Sequence, residues 1–324
     1  LTDTHVTDED YHRFCETWRV FGFRNLGEYV DFYLKLDVCL LSDIFEDFRK
    51  ICMDNYGLDC ANYITLPSFA FDAALKMTKA EIRLFNDIEM VYMIMNSIRG
   101  GITQCVHRYA KANNPYIPET YNPSEPNSFI QYLDVTALYG HTMCRPLPYD
   151  EYRWLTEEQI KNLDVSQIAD DADTGLILDV DMIYPEHLHD QHSDLPFLCR
   201  NEIPPLKHAK QPKLMTSLRD KKNYVIHYVA LKQALEHGLI LERINRGISF
   251  KQKPILKPFI DLNARLRKEA TNSFHKSLFK LCSNAIYGKF LENPLKRKTI
   301  RLGTNSDQIL RYVSRVDFQD RTIF

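Results

Sequence analysis

Residues 274–290, FHKSLFKLCSNAIYGKF, constrain the chain more than any other stretch. Phe274, Leu278, Leu281, Cys282 and Ala285 recur at helical spacing and predict an apolar stripe on one amphipathic helix. Lys276, Lys280, Asn284 and Tyr287 fall three or four residues apart on a neighbouring stripe. A surface helix ordinarily mixes charge signs along such a face. Here the face holds two cations, an amide, a phenol and no acid. Those groups suit a polyanion carrying a flat base, which is a nucleotide. A solvated basic face is the plainer reading of an isolated stripe.

Charge along the chain is polarised. Residues 207–301 carry 22 Lys and Arg against 6 Asp and Glu, whereas residues 1–206 carry 16 against 34. The formal net charge of −2 hides that separation. A basic block of this size suggests a nucleic-acid surface. The acidic part would hold metal sites or solvated helices. At 324 residues more than one core is expected. The longest apolar runs, such as MVYMIM, are too short to span a membrane, and residues 1–12 are polar and acidic, unlike a secretory signal. The eight cysteines form no C-x-x-C pair, so they read as reduced, mostly buried thiols of an intracellular protein. A first residue of Leu hints at a fragment.

In order, Asn25-Leu-Gly-Glu28 resembles a capping box, and a helix is expected over 25–52 with Val30, Leu34, Leu41, Ile44, Phe45 and Phe48 facing a core. Tyr33 and Asp37 share a face of it; alone, they are a helix-surface pair. A second helix is expected over 66–84. Arg99-Gly100-Gly101 reads as a turn that allows positive φ or close backbone approach. Residues 112–128 form a Pro- and Asn-rich loop. Phe129, Ile130, Tyr132, Leu133 and Val135 form a strand-like run that ends near Asp134.

Farther on, Asp179 and Asp181 fall on one strand face, read as solvent-facing in preference to a two-metal site. His187, His189 and His192 lack the partners of a zinc site. A helix is expected over 224–238 with Gly238 as its stop, then strand from LILERI to ISF, then a helix over 256–272 rich in Arg265, Arg267 and Lys268. Lys296, Arg297 and Lys298 form a basic turn suited to phosphates or to plain solvation.

Lys280-x3-Asn284-x2-Tyr287-Gly288 resembles the fingers-helix motif of family B DNA polymerases, and its GKF tail resembles their protein-primed branch. Asp134-x2-Ala137-Leu138-Tyr139-Gly140 resembles the same family's motif A, D-x2-SLYP, with Ala137 in place of Ser and Gly140 in place of Pro. Tyr33-x3-Asp37 resembles the third exonuclease motif, and Arg99-Gly100-Gly101 resembles the Tyr-x-Gly-Gly loop that contacts the template. The resemblance implies an α/β multidomain right hand. Residues 1–60 would end a ribonuclease H-like exonuclease domain, 61–149 begin the palm, 150–254 form an insertion, 255–291 the fingers, and 292–324 the return to the palm. It implies that Asp134 and the Val135 carbonyl bind Mg²⁺ or Mn²⁺. Leu138 and Tyr139 would face the dNTP, with Tyr139 under the sugar. Lys280 and Lys268 (or Arg267) would grip the triphosphate. Asn284, Tyr287 and Gly288 would check the new base pair. Arg99, Gly100 and Gly101 would meet DNA, and Asp37, with Tyr33, would be a metal ligand left from the exonuclease.

The partners implied are a DNA template-primer, a dNTP and a terminal priming protein. The implied setting is inside the cell, in a nucleus, mitochondrion or viral factory, as for virus-like mobile elements. The family's motif C, Tyr-x-Asp-Thr-Asp, occurs nowhere in the chain. The expectation is therefore a partial enzyme that by itself neither extends a primer nor acts as an exonuclease. The alternatives are a non-catalytic nucleic-acid-binding remnant and a nuclease centred on Asp179 and Asp181.

Overall fold

The computed structural model describes residues 5–323. Two helices lead the chain, α1 (Asp8–Phe21) and the 31-residue α2 (Leu26–Tyr56). Asn25 caps α2 by accepting from the Glu28 N–H at 3.0 Å; the Glu28 carboxylate turns back to the Arg24 N–H rather than to Asn25. Only the far end of α2 is buried, at Cys52 and Tyr56. Val30, Leu34, Leu41, Ile44 and Phe45 are exposed, against the sequence expectation, because no described element packs on that part of the helix. Aromatic rings instead meet between α1 and the start of α2, with Phe14 edge-on to Tyr29 at 4.8 Å and Phe21 on Phe32 at 4.3 Å.

The first core gathers the end of α2, α3 (Leu66–Thr78) and a hairpin of α8 (Lys257–Glu269) and α9 (Ser273–Phe290). The helix expected over 66–84 stops at Thr78, where Lys79 turns left-handed with φ 50°. α8 ends at Glu269, not 272, and Asn272 starts α9 by accepting from His275 N–H at 2.8 Å. On α9 the buried residues are Leu278, Phe279, Cys282 and Ile286. The stripe is thus rotated slightly from the expected one: Phe274 and Leu281 are exposed.

The second core lies on a four-stranded antiparallel sheet, built from β1 (Leu147–Trp154), β2 (Thr174–Ile183), β5 (Lys221–His227) and β6 (Ile240–Lys253) in the order β1-β6-β2-β5. Two short strands, β3 (Arg200–Glu202) and β4 (Lys213–Met215), pair beside it. α7 (Tyr228–Glu236) covers one face through Tyr228, Leu231 and Ala234. α4 (Ile88–Ser97) covers the other through Met90 and Met93. Burial on both faces explains why every residue from Gly175 to Met182 is buried. No described helix is long and apolar enough to cross a membrane.

The helix expected over 224–238 is divided. Tyr224–His227 pair with β2 as strand, and the helix begins only at Tyr228. His227 joins the two: its ring is enclosed by Tyr228 and Phe250. Burial, and then Arg145, push its pKa down to about 4. The unfolded chain, near the usual 6.5, therefore takes up the proton first. Stability from His227 is full above pH 6.5 and is lost as pH falls toward 4, by at most about 3 kcal/mol. Urea unfolding at pH 7 and pH 4.5 is expected to show a smaller acid loss in His227→Gln than in the wild type.

Candidate functional site

Residues 129–135 do not form the expected strand. They form no regular element and pair with no strand, with Tyr132 95% and Leu133 82% exposed. An apolar, aromatic run favours a strand, yet a ladder needs a partner, and none of the described strands pairs with it. Asp134 and Val135 are exposed at its end. The Asp134 carboxylate accepts no hydrogen bond and joins no ion pair among the described residues.

The chain then turns sharply. Ala137 is left-handed, with φ 54° and ψ 41°, and caps α5 (Leu138–Met143). That conformation costs a residue with a Cβ about 1–2 kcal/mol. Ala137→Gly is expected to raise the melting temperature or leave it unchanged, whereas Ala137→Val lowers it. α5 sits on the α8–α9 hairpin. Gly140 is buried, and a Cβ there would stand 3.3 Å from Ile260 of α8. Met143 enters the core with Phe259, Leu278, Cys282 and Ile286. Above them Tyr139 stacks on Tyr287 of α9, with centroids 4.4 Å apart and planes at 29°.

That stack brings the two distant motifs together. Lys280 lies seven residues before Tyr287, two turns up the same face of α9, about 10 Å along the axis. Lys276 and Lys280 are exposed, as are Arg265, Arg267 and Lys268 on the last turns of α8. None of the five joins an ion pair among the described residues. Cations at the hairpin's far end do: Lys257 holds Asp261 and Lys289 holds Glu292, each at 2.7 Å. Within the hairpin, the cations that join no ion pair among the described residues thus lie toward the α8–α9 turn. Asn284 is half-buried, and a Cβ on Gly288 would meet nothing within 4 Å, leaving bare backbone beside Tyr287. Lys296, Arg297 and Lys298 are exposed just beyond.

Other candidates lie apart from this cluster. Tyr33 and Asp37 are exposed on α2, and Tyr33 stacks on Tyr29 at 6.3 Å. Gly100 and Gly101 are not in the positive-φ region. Arg99 turns inward: it donates to the Val225 and Ser97 carbonyls and lies 4.0 Å over the Tyr224 ring, and burial lowers its pKa. Asp179 and Asp181, read as solvent-facing, are only 6% and 3% exposed. Register explains why. Asp179 opposes Arg246 and Asp181 opposes Arg243, so each carboxylate is covered by a cation on β6. His192 bonds Tyr184 Oη at 2.9 Å and His189 faces the Tyr184 carbonyl, while His187 is exposed. Among the described residues no three His, Cys, Asp or Glu side chains gather as a metal site would.

The family model for DNA polymerase type B, organellar and viral, matches residues 27–316. The chain belongs to that family. Among solved structures, Phi29 DNA polymerase bound to primer-template DNA matches at 20% identity and TM-score 0.46, over 76% of this chain and 38% of that one. Its complex with primer-template DNA and incoming nucleotide substrates matches at 19% and 0.45, over 75% and 38%. This type B polymerase chain thus spans 38% of the length of those structures. No curated protein sequence matches it. In this chain the turn after Asp134 and the helix that holds Lys280 are in contact through Tyr139 and Tyr287.

Proposed function

We propose that the chain binds a deoxynucleoside triphosphate between α5 and the α8–α9 hairpin and serves template-directed DNA synthesis, transferring deoxynucleotides to a DNA 3′ hydroxyl. The observation that carries this is the Tyr139–Tyr287 stack, which sets the turn after Asp134 against the helix that holds Lys280. Lys280 and Lys268 are free to neutralise the triphosphate, and the first-turn N–H groups of Leu138 and Tyr139 have no helical acceptor. Tyr139 supports the sugar, and Asn284, Tyr287 and the open backbone at Gly288 face the base pair. Gly100 and Gly101 keep exposed backbone for DNA, with Arg99 bracing their loop from within.

Mg²⁺ takes one or two protein carboxylates plus substrate phosphates, and the unpaired Asp134 carboxylate fits that minimal donor set. Asp134 and the Val135 carbonyl would hold the ion. The chemistry supplied there by Mg²⁺ or Mn²⁺ is neutralisation of charge on the phosphates. Priming by a terminal protein belongs to the same proposal, with the insertion over 150–254 as its docking region. So does an exonuclease-derived helix at Tyr33 and Asp37.

The test is equilibrium binding of a fluorescent dNTP with Mg²⁺. Lys280→Ala is expected to weaken it at least about tenfold, one lost charge-assisted contact being worth about 1.5–3 kcal/mol. Tyr139→Ala is expected to narrow the preference for dNTP over NTP. Unchanged affinity in Lys280→Ala would refute the assignment.

A further inference from the structure

Beneath the α8–α9 hairpin lies a polar contact that the apolar periodicity does not foretell. Tyr56, the last residue of α2, is 5% exposed, and its hydroxyl donates to Asn263 Oδ1 of α8 at 2.5 Å. Asn263, 1% exposed, donates through Nδ2 to the Phe259 carbonyl at 3.0 Å. The Cys282 thiol of α9, wholly buried, belongs to the same core. The Tyr56 ring packs edge-on to Phe69 of α3 and tilted against Phe259 of α8. One side chain from 200 residues away thus bonds one helix of the hairpin inside the core that the other helix shares.

A hydroxyl and an amide buried in an apolar core add little net stability over well-packed carbon, because their desolvation offsets most of the bond. What they add is direction, since only one rotation of α8 lets the bonds form. At about 100° per residue, Lys268 stands about 140° around α8 from Asn263, and Lys280 about 160° around α9 from Cys282. The inner face of α8 held by Tyr56 therefore determines where Lys268 is aimed relative to Lys280 on α9.

We propose that Tyr56 is a positioning residue that fixes the rotation of α8 against α9, so that Lys268 and Lys280 can engage one triphosphate. The inference rests on the nucleotide-binding reading of those lysines. A slack hairpin keeps both charges but loses their convergence.

The experiment compares four variants by binding of a fluorescent dNTP with Mg²⁺ and by thermal melting. Tyr56→Phe is expected to weaken binding about fivefold. Tyr56→Phe/Asn263→Leu removes both polar partners; it is expected to melt within a few degrees of the wild type yet still bind weakly. Lys280→Ala and Lys268→Ala are the controls. If they bind like the wild type, the nucleotide reading itself falls. If they lose binding while Tyr56→Phe keeps it, only the positioning role falls. Recovery of binding together with stability in the double variant would also overturn it, showing that Tyr56 serves packing alone.

Discussion

Replacing Asp134 with alanine is expected to lower nucleotide incorporation by a polymerase built on this chain at least about a thousandfold. Charge stabilisation by a carboxylate-held divalent ion is worth several kcal/mol in the transition state, and each 1.36 kcal/mol is tenfold in rate. Nothing in the fold should change with it. Asp134 is exposed, caps no helix and bonds no neighbour among the described residues, so its loss removes no internal contact. Melting of Asp134→Ala should therefore coincide with the wild type while single-turnover incorporation collapses. Retained incorporation would remove Asp134 from the mechanism.

The largest stability loss is expected at a different acid. Asp181 accepts from the Asn223 N–H at 2.9 Å, from Arg243 at 2.8 Å and from Asn245 at 3.1 Å, and it is 3% exposed. The Asn223 N–H first, then Asn245 and Arg243, hold its carboxyl below the usual range against the cost of burial. Asp181→Ala strands those donors together with the Asp179 network that shares Asn245. Breaking a buried pair costs about 3–5 kcal/mol; because Arg243 is 68% exposed, about 2–3 kcal/mol is expected here. The loss should appear as a lower urea midpoint with an unchanged m-value. The sign with pH follows from the lowered pKa: the contribution of Asp181 is present above the ordinary carboxylate range and is lost as acid protonates it. Asp181→Ala should consequently unfold less steeply below pH 4 than the wild type. If Asp181→Ala matched the wild type in urea, the paired-carboxylate account of this strand would fail.

The contrast between Asp134 and Asp181 shows what the amino-acid pattern reveals. Helical period and caps located α9 and the start of α2, because both are local properties of consecutive residues. That the Asp134 turn and α9 belong to one unit was implied by the resemblance of both to one polymerase family, and Tyr139 and Tyr287 stack where the two meet. What stayed hidden depends on partners. The apolar run at 129–135 says that a strand is possible, not that a neighbour is present to pair with it. Asp179 and Asp181 looked solvated because nothing in β2 itself announces that Arg246 and Arg243 stand opposite. Tyr224–His227 passed for a helical turn because an apolar run four residues long fits both periods. Arg99 and Tyr56 likewise take their roles from groups more than a hundred residues away.

The most direct test is photo-crosslinking of an azido-dNTP with Mg²⁺, followed by mapping of the labelled peptides. If one nucleotide is held between α5 and α9, label should appear both on the peptide containing Tyr139 and on the peptide containing Tyr287, and excess dNTP should remove both. Label confined to other parts of the chain, or to one of the two peptides with the other untouched at every probe position, would contradict a shared nucleotide site.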